Sequence, residues 1–267
     1  MKIYFLTYGD SKYNISKKHL SGLAKYSSLF DEVISLGPRN LDYEFKSKYN
    51  DILNQKRGSG YWIWKHRIIQ NLLYEISNGD LIVYCDAGAS LNYKAKKRFE
   101  EYVEIIKTSN FSNLRMECEE RFKEKEFTTK ELFDYFNINI DSEVAKSTQL
   151  QAGHMFFKKN QDSVDYFKEY EKLLVTDSRL ITDYYSSFEQ IPEFVENRHD
   201  QSIFSLMSKK YGSEIIKNET EFRLRPSEQY DYPFLSVRVG GHGIKDKIRF
   251  YMFYNSKIKT PVFFPKE

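Results

Sequence analysis

Three short runs of this chain place polar side chains close enough together to do chemistry. The first is Arg57-Gly58-Ser59-Gly60-Tyr61-Trp62-Ile63-Trp64-Lys65, which joins flexible backbone, a hydroxyl and two cations at the start of an expected helix. Exposed N–H groups at a helix start favour an anion, and Arg57 or Lys65 would add charge-assisted bonds to phosphate. It is not a Walker loop, because the spacing before Lys65 is wrong and no Ser or Thr follows it. Trp62 and Trp64 serve equally well as core anchors, with Gly58 and Gly60 shaping a turn. The second run is Asp86-Ala87-Gly88, directly after the apolar Leu81 to Cys85. A carboxylate there suits a divalent cation or a ribose hydroxyl, and equally a turn or a helix cap.

The third run, Arg198-His199-Asp200-Gln201, precedes an apolar helix face of Ile203, Phe204, Leu206 and Met207. Asp200 is either an N-cap or an acid facing a strand-end cleft, with Gln201 beside it to stabilise a developing positive centre. Late in the chain His242 stands between glycines, three residues before Lys245, offering imidazole to a metal and ammonium to a phosphate. The other histidines read as structural: His19 on a solvated helix face, His66 on a helix surface, His154 in a strand.

Such groups converge only if strands and helices bring them to one place. Lys2 to Leu6 reads as a buried strand, followed by the turn Tyr8-Gly9-Asp10-Ser11, a helix through Leu20, Leu23, Ala24 and Leu29, and a strand from Asp31 to Leu36. That β-α-β opening implies a parallel pair. Ile68, Ile69, Leu72, Leu73 and Ile76 recur at one-face helical spacing, and Leu81 to Cys85 is the clearest buried strand. Helices are expected from Lys94 to Lys107, after a Thr128/Glu131 capping box, from Val164 to Leu174 and from Gln201 to Tyr211. Gln151 to Phe157 reads as a strand, Asn110 to Lys125 carries no clear signal, and the C-terminal fifth is strand-like and aromatic. With no repeat or linker, the expectation is one α/β domain over residues 1–267, with a mostly parallel sheet flanked by helices.

Composition narrows the function classes. The chain has 267 residues, 41 basic against 38 acidic side chains and a formal charge of +3, too even a balance for a nucleic-acid footprint. No stretch approaches a membrane span, and the N-terminal apolar run is too short for a signal peptide. Cys85 and Cys118 show no metal-ligand spacing and suit a reducing cytoplasm as unpaired thiols.

Gly58 to Lys65 as G-x-G-Y-W-x-W-K, Leu81 to Ala89 ending in D-A-G, Gln151-Ala152-Gly153 and His199-Asp200-Gln201-Ser202 together resemble the GT-A-fold glycosyltransferases, closest to bacterial and viral members bearing these motifs. More distantly, their order is similar to the retaining transferases related to glycogenin and lipopolysaccharide galactosyltransferases. The resemblance implies a nucleotide-binding part over about residues 1–90 and an acceptor and catalytic part over about 91–267. It implies Thr7, Tyr8, Asp10 and Tyr13 near base and ribose, and Arg57, Lys65, Asp86, Gly88 and Lys245 on the donor. Gln151, Gly153 and His199 would meet the sugar or acceptor, and Asp200 and Gln201 the reacting centre.

The resemblance further implies transfer of a sugar from a nucleotide-diphosphate donor, a UDP-sugar by preference, to a glycan or lipid-linked acceptor, as in surface polysaccharide synthesis. It tilts towards retention; inversion would need a carboxylate base, for which Asp200 is the candidate. The family's D-x-D motif is D-A-G here, without the third-position aspartate that often contacts metal. Either Asp86, His242, the diphosphate and waters hold Mn²⁺ or Mg²⁺, or Lys65 and Lys245 neutralise the leaving group alone. A cytoplasmic protein is expected, at the inner face of a membrane if Phe250, Tyr251, Phe253 and Tyr254 with Lys257 and Lys259 touch lipid; the same residues also suit a core strand. Two rivals are a sugar-phosphate nucleotidyltransferase, whose usual Gly-rich basic loop Thr7-Tyr8-Gly9-Asp10 lacks, and a non-catalytic nucleotide-sugar or glycan-binding module.

Overall fold

The computed structural model describes residues 1–185, 189–221 and 231–236. The opening unit forms as expected. Strand β1 (Ile3–Tyr8) leads through helix α1 (Asn14–Ser27) to strand β2 (Glu32–Leu36), parallel to β1 with Phe5 opposite Val33. The chain then returns through α2 (Trp64–Glu75) to β3 (Leu81–Cys85), parallel to the other edge of β1, where Phe5 also faces Val83. All five residues of β3 are buried, as an unbroken apolar run requires when both faces of its sheet are covered.

Beyond β3 lie β4 (Ser90–Leu91), α3 (Lys96–Thr108), β5 (Asn113–Glu117), α4 (Lys130–Phe136), β6 (Leu150–Lys158), α5 (Gln161–Asp177), α6 (Asp200–Tyr211), β7 (Glu214–Ile216) and β8 (Phe234–Leu235). The main sheet has six strands in the order β2-β1-β3-β6-β5-β7, and β4 pairs with β8 separately. Strand β6 runs antiparallel to β3 and β5, while the other three pairings are parallel. The fold is α/β, a mixed, mostly parallel sheet flanked by helices.

Alternation along the strands divides the apolar residues between two cores. Tyr4, Leu6 and Tyr8 meet α2, α4, α5 and α6 on one face, whereas Phe5 meets α1 and α3 on the other. Several sequence expectations shift. The unassigned Asn110 to Lys125 contains β5, hidden because its centre is Arg115, wholly buried between strands. Thr129, not Thr128, caps α4 by accepting from the Leu132 N–H. His19 and His66 are buried rather than solvated, and His66 stacks on Tyr170 with rings 4.8 Å apart. Burial pushes the His19 imidazole down to about 4 and that of His66 to about 3. Among the described residues no helix is long and apolar enough to cross a membrane. Phe250 to Lys259 lie outside the described residues.

Candidate active site

Because β6 is antiparallel to β3, its first residues lie beside the last residues of β3. Cys85 pairs with His154, and the Asp86 N–H donates to the Gly153 carbonyl at 2.9 Å. A cleft of about 440 Å³ opens at this edge, past the carboxyl ends of β1 and β3, where open α/β sheets hold their ligands. Gly153 leaves room for the carboxylate: a Cβ would stand 3.3 Å from Asp86 Oδ2, a tight contact.

At the cleft floor Lys65, from the first turn of α2, joins two carboxylates. Its Nζ lies 2.6 Å from Asp200 Oδ2 and 3.1 Å from Asp86 Oδ1, and donates to the Ala152 carbonyl at 3.1 Å. The Ala152 contact is a hydrogen bond, while the two carboxylates are ion-pair partners of the buried ammonium. Tyr84, buried in β3, donates its hydroxyl to Asp86 Oδ1 at 2.6 Å. Burial alone would push the Lys65 ammonium down, but Asp200 and Asp86 more than offset it and hold its pKa above the ordinary lysine value. Burial raises the Asp200 carboxyl to about 6, Lys65 opposing and Asp86 adding to the rise. Lys65, expected as a donor-phosphate ligand, is thus also a buried bridge: its side chain is 2% exposed and meets two acids.

The wall beside Lys65 is a turn of opposite hand. Gly58, Ser59, Gly60, Tyr61 and Trp62 all have positive φ, between 51° and 95°, a run that costs most residues energy. At Gly60 a Cβ would come within 2.7 Å of Leu53 Cα. Ser59 donates its hydroxyl to Asp10 Oδ2 at 2.5 Å, linking this turn to the end of β1. Asp10 Oδ1 accepts from the N–H groups of Lys12 and Tyr13, so the Asp10 carboxylate is engaged as a cap and tie. Trp64 stacks on Tyr8 with centroids 3.8 Å apart and belongs to the core.

The remaining expected residues divide. Tyr8, Asp10, Tyr13, Arg57, Lys65, Asp86, Gly88, Gln151, Gly153, His199, Asp200 and Gln201 all line the cleft. Thr7 does not. It is wholly buried, because alternation along β1 turns it to the Phe5 side of the sheet. Arg57 points at carboxylates instead of open space, 3.1 Å from Asp183 and 3.3 Å from Glu196. Asp200 is the first residue of α6 and not its N-cap; that position is His199, with φ 56° and ψ −120°. The His199 Nδ1 bonds the Ile181 carbonyl at 2.9 Å, and burial, with Arg57 adding, lowers its pKa to about 4, so the ring is neutral near pH 7. Gln151 Oε1 accepts from the Thr220 hydroxyl at 3.0 Å.

His242 and Lys245 lie outside the described residues. Among the described residues no group of three His, Cys, Asp or Glu side chains is placed to hold a metal ion, and Asp86 Oδ1 already meets an ammonium and a phenol. Taken alone, the described donors form no divalent-cation site; His242, the other expected ligand, is not among them.

The path of the chain is similar to that of solved glycosyltransferases. One is a glycosyltransferase involved in the glycosylation of the major capsid of PBCV-1, with 12% identity, TM-score 0.49, and 95% of this chain and 99% of that chain covered. Another is the galactosyltransferase LgtC in complex with donor and acceptor sugar analogs, with 10% identity, TM-score 0.41 and coverage of 84% and 74%. A third is mouse xyloside xylosyltransferase 1 in its apo form, with 13% identity, TM-score 0.42 and coverage of 82% and 86%. No family model and no curated protein matches the sequence. Likeness at this level says nothing of donor, acceptor or mechanism.

Other cleft residues had no sequence signal. Lys12 and Lys56 line the cleft and are exposed. Nothing separates them in sequence from the other lysines of a basic chain. Tyr84 was legible only as an apolar strand residue.

Proposed function

We propose that the protein is a glycosyltransferase that binds a nucleoside-diphosphate sugar, a UDP-sugar by preference, in this cleft and passes the sugar to a hydroxyl of a glycan or lipid-linked acceptor. The observation that carries the reading is the convergence of Lys65, Asp86 and Asp200, far apart in sequence, into one ion-paired cluster opening on a strand-end cleft. A well-packed apolar cluster would stabilise the fold as well, since buried charges cost more to desolvate than they usually return.

Breaking the bond between anomeric carbon and diphosphate builds positive charge on the sugar and negative charge on the leaving group. Asp200 and Gln201, which line the cleft, are the groups assigned to meet the positive centre. Lys65 holds Asp200 and Asp86 apart from one another and keeps both facing the cleft. Lys12, Lys56 and Lys245 are the cations assigned to the diphosphate, since Lys65 is buried against two carboxylates. Retention of configuration fits the pairing of an acid with a neutral amide better than a base-driven inversion.

The test is release of free nucleotide from UDP-glucose, UDP-galactose, GDP-mannose and a CDP-sugar by wild type and Asp200→Asn, with and without Mn²⁺. Asp200→Asn should lose most turnover while binding donor normally, the pattern of an interaction made in the transition state. Near-wild-type turnover by that variant would return Asp200 to a structural role.

A further inference from the structure

Behind Gln201 a line of buried polar side chains runs away from the cleft. Lys209 Nζ lies 2.7 Å from Glu124 Oε1, and Thr128 donates its hydroxyl to Glu124 Oε2 at 3.0 Å. Gln149, fully buried, donates from Nε2 to Thr128 Oγ1 and to the Phe127 carbonyl, both at 3.0 Å. Gln201 then donates from its own Nε2 to Gln149 Oε1 at 2.8 Å.

The orientation of each amide in this line is forced by chemistry. A carbonyl oxygen only accepts, so the end of Gln149 facing Phe127 must be its NH₂. The Thr128 proton goes to Glu124, held as an acceptor by Lys209, so Thr128 presents a lone pair to that same NH₂. The Gln149 oxygen is therefore turned to Gln201, which must answer with its NH₂. That leaves the carbonyl oxygen of Gln201 outside this line, on a residue that lines the cleft.

Resting on the transferase reading above, we propose that Gln149 is a positioning residue: through Thr128 and Glu124 it fixes the Gln201 amide so that an oxygen, and not an NH₂, meets the reacting centre. An amide oxygen stabilises a positive anomeric carbon, whereas an NH₂ turned there would oppose it. The Phe127 carbonyl and the Glu124–Thr128 link thus make one amide rotamer the resting state of the site.

Two measurements on the full chain test this. In the first, the Gln201 side-chain NH₂ signals, assigned by their loss in Gln201→Glu, are followed by ¹⁵N NMR. They should move in Gln149→Met, and signals that stay in place overturn the relay whatever the donor proves to be. In the second, kcat and KM for nucleotide release from the best of the four sugar nucleotides are compared in a double-mutant cycle. Gln149→Met should lower kcat by about tenfold to a hundredfold with KM little changed, and should lower it no further in a Gln201→Ala background. An equal loss in both backgrounds overturns the proposal, because Gln149 would then act on stability alone. Should Gln149→Met fail to fold, Thr128→Val should lower kcat in the same way and Thr128→Ser should restore it; Thr128→Val at wild-type kcat contradicts the relay. Absence of turnover by wild type on every donor removes the transferase reading and the catalytic role with it, while the NMR result still judges the amide orientation.

Discussion

Lys65 is where local sequence and structure diverge most usefully. A lysine after Trp-Ile-Trp at a helix start looks like a surface cation, yet it is 1% exposed and sits between two acids. Its removal should therefore damage folding as well as binding. Lys65→Met should cost about 3–5 kcal/mol by urea denaturation near pH 8, because an uncompensated buried carboxylate remains. The loss should shrink at pH 5, where Asp200, deprived of its cation, is protonated; an equal loss at both pH values would place the cost elsewhere. Asp200 makes a second prediction. Its carboxyl titrates near 6 in the folded chain, against about 3.9 in the unfolded one, so between those values only the native state holds the proton. Linkage then makes the group's contribution to stability grow as pH falls from about 6 towards 4. Wild type should gain stability relative to Asp200→Asn over that window, and a difference that does not vary with pH would show that Asp200 is not buried as described.

At the scale of elements, the β-α-β opening, the α2 face and β3 were legible because their apolar periodicity is undiluted. Strand β5 was not, since Arg115 at its centre breaks the apolar pattern; its guanidinium donates to the Gln151 carbonyl and lies over the Phe204 ring. The cap expected at Thr128 falls one residue later, at Thr129, and Thr128 is instead engaged by Glu124 and Gln149. Gly58 and Gly60 announced a turn, but nothing local announced that Ser59, Tyr61 and Trp62 share its left-handed backbone. That turn places Ser59 against Asp10 and closes one wall of the cleft. Gly60→Ala, with φ 95° and Leu53 backbone 2.7 Å from the new methyl, should destabilise the protein by about 1–3 kcal/mol. A thermal or urea midpoint unchanged from wild type would mean that the turn relaxes freely and carries no strain.

At the scale of the molecule, the sheet order puts β2 on one side of β1 and β3 on the other. Chain crossovers diverge at β1, and the cleft lies where they part. The antiparallel β6 supplies Gln151 to Gly153 to the same edge, and α6 brings Asp200 and Gln201 over it. The candidate site was partly legible because each motif is chemically distinct; the partners that hold those motifs, Tyr84, Gln149 and Thr128, were not, because buried polar residues with satisfied bonds leave no periodic trace. The central claim is that this cleft takes a nucleoside diphosphate. Isothermal titration calorimetry of the folded full chain with UDP, GDP, CDP and ADP, each with and without Mn²⁺, tests it most directly. Saturable binding of at least one of them, UDP foremost, with one site per chain is the expected result. No binding of any of the four by protein with a cooperative thermal transition would contradict the account.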